Sequence, residues 1–98
     1  MSKTNTLTWA KNTEADMAGY NVYRKLGAAP VKGVDPKLNT SLVPKDTTTY
    51  ADVVMTDGDY FYEVSAVDTA GNESAFSVAV DIVVNVVPPQ APTGLTVA

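Results

Sequence analysis

Asp57 and Asp59 flank Gly58, and Asp68, Asn72 and Glu73 crowd a second short stretch. These are the two places where side-chain oxygens gather closely enough to suggest a cation. A calcium loop needs further ligands and a closing glutamate that neither group supplies. Both are read instead as solvated turns, in which short polar side chains bond nearby backbone N–H groups. Nucleophilic chemistry is poorly provided for. The chain has no histidine and no cysteine, so a serine would depend on a lysine or a carboxylate as its base. Lys25 and Lys32 lie in or near a loop with no evident apolar pocket to activate them. The same two absences exclude disulfides and thiolate or imidazole metal sites. The expectation is a protein that is not an enzyme, with no cofactor and no tightly held metal.

Tyr23 and Phe61 fall on the outward phase of their segments. Outward aromatics can stack sugar rings, but they are also common cross-strand partners. The second role is expected, and a carbohydrate- or protein-binding face at Tyr23 and Phe61 is kept as the alternative. Asn39-Thr40-Ser41 and Asn72-Glu73-Ser74 match the glycosylation sequon, a triplet that arises often by chance. No Arg-Gly-Asp triplet occurs.

The elements that must position these residues are strands. Tyr20 and Val22 share a phase, as do Tyr60, Tyr62, Val64 and Ala66, and again Val78, Val80 and Ile82. A period of two in valine, threonine and aromatic residues is the strand signature. Gly27, Pro30, Gly33, Pro36, Pro44, Gly58 and Gly71 punctuate the runs. Strands are expected over about Asn5–Ala10, Gly19–Leu26, Thr48–Asp52, Asp59–Asp68, Ser74–Val84 and Thr93–Ala98. Ser41-Leu42-Val43 reads as a short edge segment, and Thr13–Ala18 as a loop too short for a stable helix. Leu7, Trp9, Tyr20, Val22, Tyr50, Tyr62, Val64, Ala66, Val80 and Ile82 form the expected core.

At 98 residues the chain has room for one domain and one core. Its net charge of −4 argues against a nucleic-acid partner, which requires a basic face. No apolar run reaches the roughly 18 residues of a membrane span. The polar opening Met1-Ser2-Lys3-Thr4 does not read as a signal peptide.

Leu7-Thr8-Trp9, Ala18-Gly19-Tyr20-Asn21-Val22-Tyr23-Arg24, Thr49-Tyr50-Ala51-Asp52 and the long run Tyr60 to Ser74 together resemble a fibronectin type III domain of the kind found in bacterial extracellular proteins. The resemblance covers nearly the whole chain. It implies an all-β, two-sheet, immunoglobulin-like sandwich, with Tyr60 as a tyrosine corner bonding nearby backbone. The family opens with a strand reading roughly Pro-x-x-Leu-x-Val. Here that pattern stands at the far end, as Pro92-Thr93-Gly94-Leu95-Thr96-Val97.

The expected organisation is a sandwich lacking its first strand over 1–87, a Pro-rich linker over 88–92 and a first-strand segment over 93–98. The function implied is that of a spacer or interaction module of a larger extracellular or cell-surface protein. Its partners would be copies of itself or tandem modules, with polysaccharide or another protein as the alternative. Thr93, Gly94, Leu95, Thr96 and Val97 are the expected donor strand, and Thr6, Leu7, Thr8 and Trp9 the acceptor. Leu95 and Val97 would enter a core. Donation to a neighbouring molecule is expected over fold-back within one chain, because fold-back strains the linker.

Overall fold

A computed structural model describes residues 2–86 and 90–97. Its six strands are β1 (Lys3–Thr8), β2 (Met17–Leu26), β3 (Val43–Pro44), β4 (Thr49–Val54), β5 (Gly58–Asp68) and β6 (Val80–Val84). They form two antiparallel sheets, a pair ordered β1-β4 and a four-stranded sheet ordered β3-β2-β5-β6. No helix occurs among the described residues. The protein is all-β and sandwich-like, as the alternating pattern requires.

Period-two alternation sets the inner faces. Tyr20 and Val22 of β2, Tyr60 and Tyr62 of β5 and Val54 of β4 are buried. They form two clusters, which share Leu7 and Leu38 as half-buried neighbours. Trp9 packs edge-on against Tyr20, with ring centroids 5.3 Å apart. The Tyr60 hydroxyl donates to the Thr56 carbonyl at 3.0 Å, the corner expected where β5 begins. β3 is only two residues long. Asn39 takes over where its ladder stops: its Oδ1 accepts from Val22 N–H at 2.8 Å, and its Nδ2 donates to the Ser41 carbonyl at 2.9 Å. A buried side-chain amide thus substitutes for backbone pairing along β2.

The structure corrects three expectations. The last main strand does not begin at Ser74. Ser74 and Ser77 instead bond β5 through both backbone and side chain: Ser74 N–H reaches the Ala66 carbonyl while Ala66 N–H reaches Ser74 Oγ, and Ser77 does the same at Val64. Hydroxyls that compete for ladder partners break the regular repeat until Val80. Val80 and Ile82 keep the inward phase but are 59% and 38% exposed; only Val84 and Val86 are buried beside β5. Leu7, Trp9, Tyr50, Val64 and Ala66 are half-buried rather than enclosed. Thr93–Val97 is not a strand, and Leu95 and Val97 are 95% and 96% exposed. Pro88, Pro89 and Ala98, which belong to the expected linker and final segment, lie outside the described residues.

Gly19 lies where β2 meets β3. A Cβ placed there would collide with the Val43 carbonyl oxygen, a backbone atom with little freedom to yield. Gly19→Ala should therefore cost about 1–3 kcal/mol, the usual range for overpacking. An unchanged unfolding midpoint would show that β3 is not held against β2.

Candidate functional site

The small sheet has two strands and the large one four, so the inner face of the large sheet extends beyond its cover. Among the described residues β1 pairs only with β4, which leaves its other edge free there. Between that edge and β6 runs an open groove. One cavity of about 260 Å³ is bordered by Leu7, Trp9, Tyr62, Val64, Val78 and Val80. A second, of about 340 Å³, continues toward the start of β1, between Asn5 and Leu7 on one side and Val80 and Ile82 on the other. This accounts for the exposure of Val80 and Ile82: they have an inward phase and nothing opposite to bury them. Two buried polar atoms at the groove also lack a hydrogen-bond partner among the described residues, Asn5 Oδ1 and Trp9 Nε1. Orphaned polar atoms are costly and uncommon in a finished interior.

The acceptor residues Thr6, Leu7, Thr8 and Trp9 are placed together along this free edge. Leu7 and Trp9 are on the groove side, and Thr6 and Thr8 are exposed. The direction of the backbone groups follows from one bond. Trp9 N–H donates to the Thr48 carbonyl at 3.0 Å, so odd-numbered residues of β1 turn their N–H and C=O toward β4. By the period of two, Thr4, Thr6 and Thr8 turn theirs outward, to an unoccupied edge. The donor residues Thr93 to Val97 are exposed and away from it.

The groove's floor is fixed by a polar tether that sequence reasoning missed. Asp52 of β4 is buried; it accepts two bonds from Arg24 of β2, at 3.0 and 3.1 Å, and one from the Tyr62 hydroxyl of β5 at 2.5 Å. Asn5 of β1 donates its amide to the same hydroxyl at 3.0 Å. The Arg24 guanidinium lies 5.5 Å from the centre of the Tyr60 ring. The signal was present in the pattern: Asp52 shares the inward phase of Tyr50 and Val54, and Arg24 that of Tyr20 and Val22. Burial, together with the Asp52 carboxylate, pushes the Tyr62 phenol up to about 12.

The Tyr23/Phe61 face is closed. Tyr23 is 7% exposed; its ring lies on Phe76 with centroids 4.1 Å apart, and its hydroxyl donates to Glu73 at 2.5 Å. Phe61 is half-buried alongside. Burial and the Glu73 carboxylate push the Tyr23 phenol up to about 12. Glu73 also accepts from Ser65 and Asn21; burial opposes its charge, but these donors outweigh it and hold its carboxyl below the usual range.

Asp57 and Asp68 are likewise engaged within the fold. Asp57 accepts from Val86 N–H at 2.6 Å. Asp68 accepts from the Asn72 side-chain amide and caps the turn by accepting from the N–H groups of Asn72 and Ala70, which together hold its pKa down. Asp81 on the neighbouring strand raises the Asp59 pKa, and Asp59 Oδ1 is buried without a hydrogen-bond partner among the described residues. Among the described residues, no three acidic side chains assemble into a metal site. Asn39 is buried with its amide bonded, so its sequon is inaccessible, whereas Asn72 is exposed.

Compared with protein-family models, with curated proteins and with solved structures, the chain matches none. No helix among the described residues is long and apolar enough to cross a membrane.

A free phenol titrates near 10, so Tyr23 and Tyr62 hold their protons more tightly in the native state than in the unfolded chain. The stability they contribute is intact below about pH 10 and lost as pH rises through 12. Phenolate absorbance of the native protein should show these two of the five tyrosines titrating late. Tyr62→Phe should remove one of the two late protons. A single transition near pH 10 for every tyrosine would refute the buried tether.

Proposed function

We propose that this protein is a non-catalytic interaction module of the fibronectin type III kind, part of a larger extracellular protein. Its copies associate head-to-tail, each donating Thr93–Val97 to the groove beside β1 of the next. One observation carries the reading: the same chain has an unfilled apolar groove along a free strand edge and an exposed segment patterned as a strand. Exposed edges ordinarily invite pairing with another chain, and natural proteins cover or blunt them. Leu95 and Val97, almost wholly in water here, would each contribute about 1.5–3 kcal/mol if fully buried. The non-catalytic reading is supported by Asp52, Asp57, Asp68 and Glu73, whose bonds go to the fold itself. The extracellular reading is supported by the sequence resemblance. No observation favours a sugar platform, because Phe76 and Glu73 occupy Tyr23.

Light scattering across a concentration series tests the association. The full chain should gain mass with concentration. Both a chain ending at Ala91 and the Leu95→Asp variant should stay monomeric, with their β-sheet signal retained. A full chain that remains a monomer throughout the series would overturn the proposal.

A further inference from the structure

Resting on the proposed strand donation, the geometry points to one register and one direction. We infer that Thr93–Val97 of a second copy lies antiparallel to β1 with Leu95 opposite Leu7. Thr96 then faces Thr6, and Gly94 faces Thr8.

Three constraints select this arrangement. The first is the free edge. The outward backbone groups belong to Thr4, Thr6 and Thr8, so the donor's bonding residues must oppose these. Gly94 and Thr96 do so only when Thr93, Leu95 and Val97 share the inward phase of Asn5, Leu7 and Trp9. The second is apolar fit. Leu95 opposite Leu7 enters the cavity bordered by Trp9, Val64 and Val80, while Val97 enters the adjoining one beside Val80 and Ile82. Thr93 then lies opposite Trp9, where its hydroxyl can accept from the unpartnered indole N–H. The third is Pro92, which has no N–H. Here it opposes Ala10, beyond the end of β1, and costs no ladder bond. Sliding the donor by two residues one way puts Pro92 opposite Thr8, where a bond is needed. Sliding it the other way takes Gly94 past the end of the strand.

The direction also says whose strand it is. β6 ends at Val84, opposite Gly58, and the turn before Gly58 leads back to Val54, which pairs with Lys3. The chain therefore leaves the sandwich at the Lys3 end of β1. Docking its own segment antiparallel would mean first climbing the length of β1, about 20 Å for six residues, and then reversing. The seven residue steps from Val86 to Thr93 reach only about 25 Å fully extended. A parallel fold-back needs no reversal, but it gives the weaker ladder and sets Val97, not Thr93, beside the Trp9 indole. A second copy reaches the Trp9 end freely. The radius of gyration is 18.2 Å, against about 13 Å for a compact chain of this length, so the segment already extends from the body.

The chain has no cysteine, so introduced pairs report without background. Thr6, Thr8 and Thr96 are exposed, which makes each position tolerant of substitution. Thr6→Cys protein mixed with Thr96→Cys protein under mild oxidation should give a covalent heterodimer. Thr8→Cys mixed with Thr96→Cys should give several-fold less. Efficient Thr8–Thr96 linkage, between molecules or within a chain carrying both substitutions, would mean a parallel donor or an antiparallel one slid by two residues, and either would overturn the register. Gain of mass with neither cross-link would also overturn it while leaving strand donation standing. No gain of mass by the unmodified chain would remove both.

Discussion

A single buried carboxylate joins the two sheets. Asp52 sits on the small sheet and takes its hydrogen bonds from Arg24 and Tyr62 on the large one. A buried charge is expensive unless paired and fully bonded, and the pair is worth most for the geometry it imposes. Here it sets the position of β4 over β2 and β5. Asn5, bonded to the same phenol, brings β1 into register with the rest. A two-stranded sheet has little area with which to hold itself by apolar contact alone. The tether compensates for that shortage, and the inner faces of Leu7 and Trp9 take their places from it.

The difference in strand number between the sheets then determines the surface. Four strands opposite two leave a strip of the larger sheet without a lid, and the strip is apolar because β5 and β6 alternate for a two-sided core. Val84 and Val86 are buried at one end, while Val80 and Ile82 remain open toward the middle. The groove is therefore a missing layer of core. It lacks the convergent polar groups that mark a small-molecule pocket. A strand suits it better, since a strand satisfies a row of backbone groups as well as apolar side chains.

Much of this was legible in the sequence because alternation has a fixed period. Tyr20, Val22, Tyr60 and Tyr62 show their inward phase without reference to the fold, and Tyr60 after Asp57-Gly58-Asp59 marks its own corner. Phase, however, says which way a side chain points and not whether anything lies opposite. Val80 and Ile82 have the right phase and remain in water for that reason. Tyr23 fails in the opposite sense: it points outward, yet Phe76 and Glu73 close over it from a loop some fifty residues away, a contact no local pattern records. Ser74 and Ser77 mislead because a hydroxyl can take a ladder bond and break the strand that residue preference favours. The tether is a different case. A carboxylate and a guanidinium, each on the apolar phase of its strand, signal a buried ion pair, and that signal is carried by the amino-acid pattern alone.

Trp9 is the chain's one tryptophan, and it borders the groove with its indole nitrogen unpartnered. The indole fluorescence of the molecule therefore comes from a single side chain at the place where solvent meets the uncovered core. Indole emission moves to shorter wavelength as its surroundings lose water. The protein thus carries an optical gauge of whether its groove is wet or filled, without any added label.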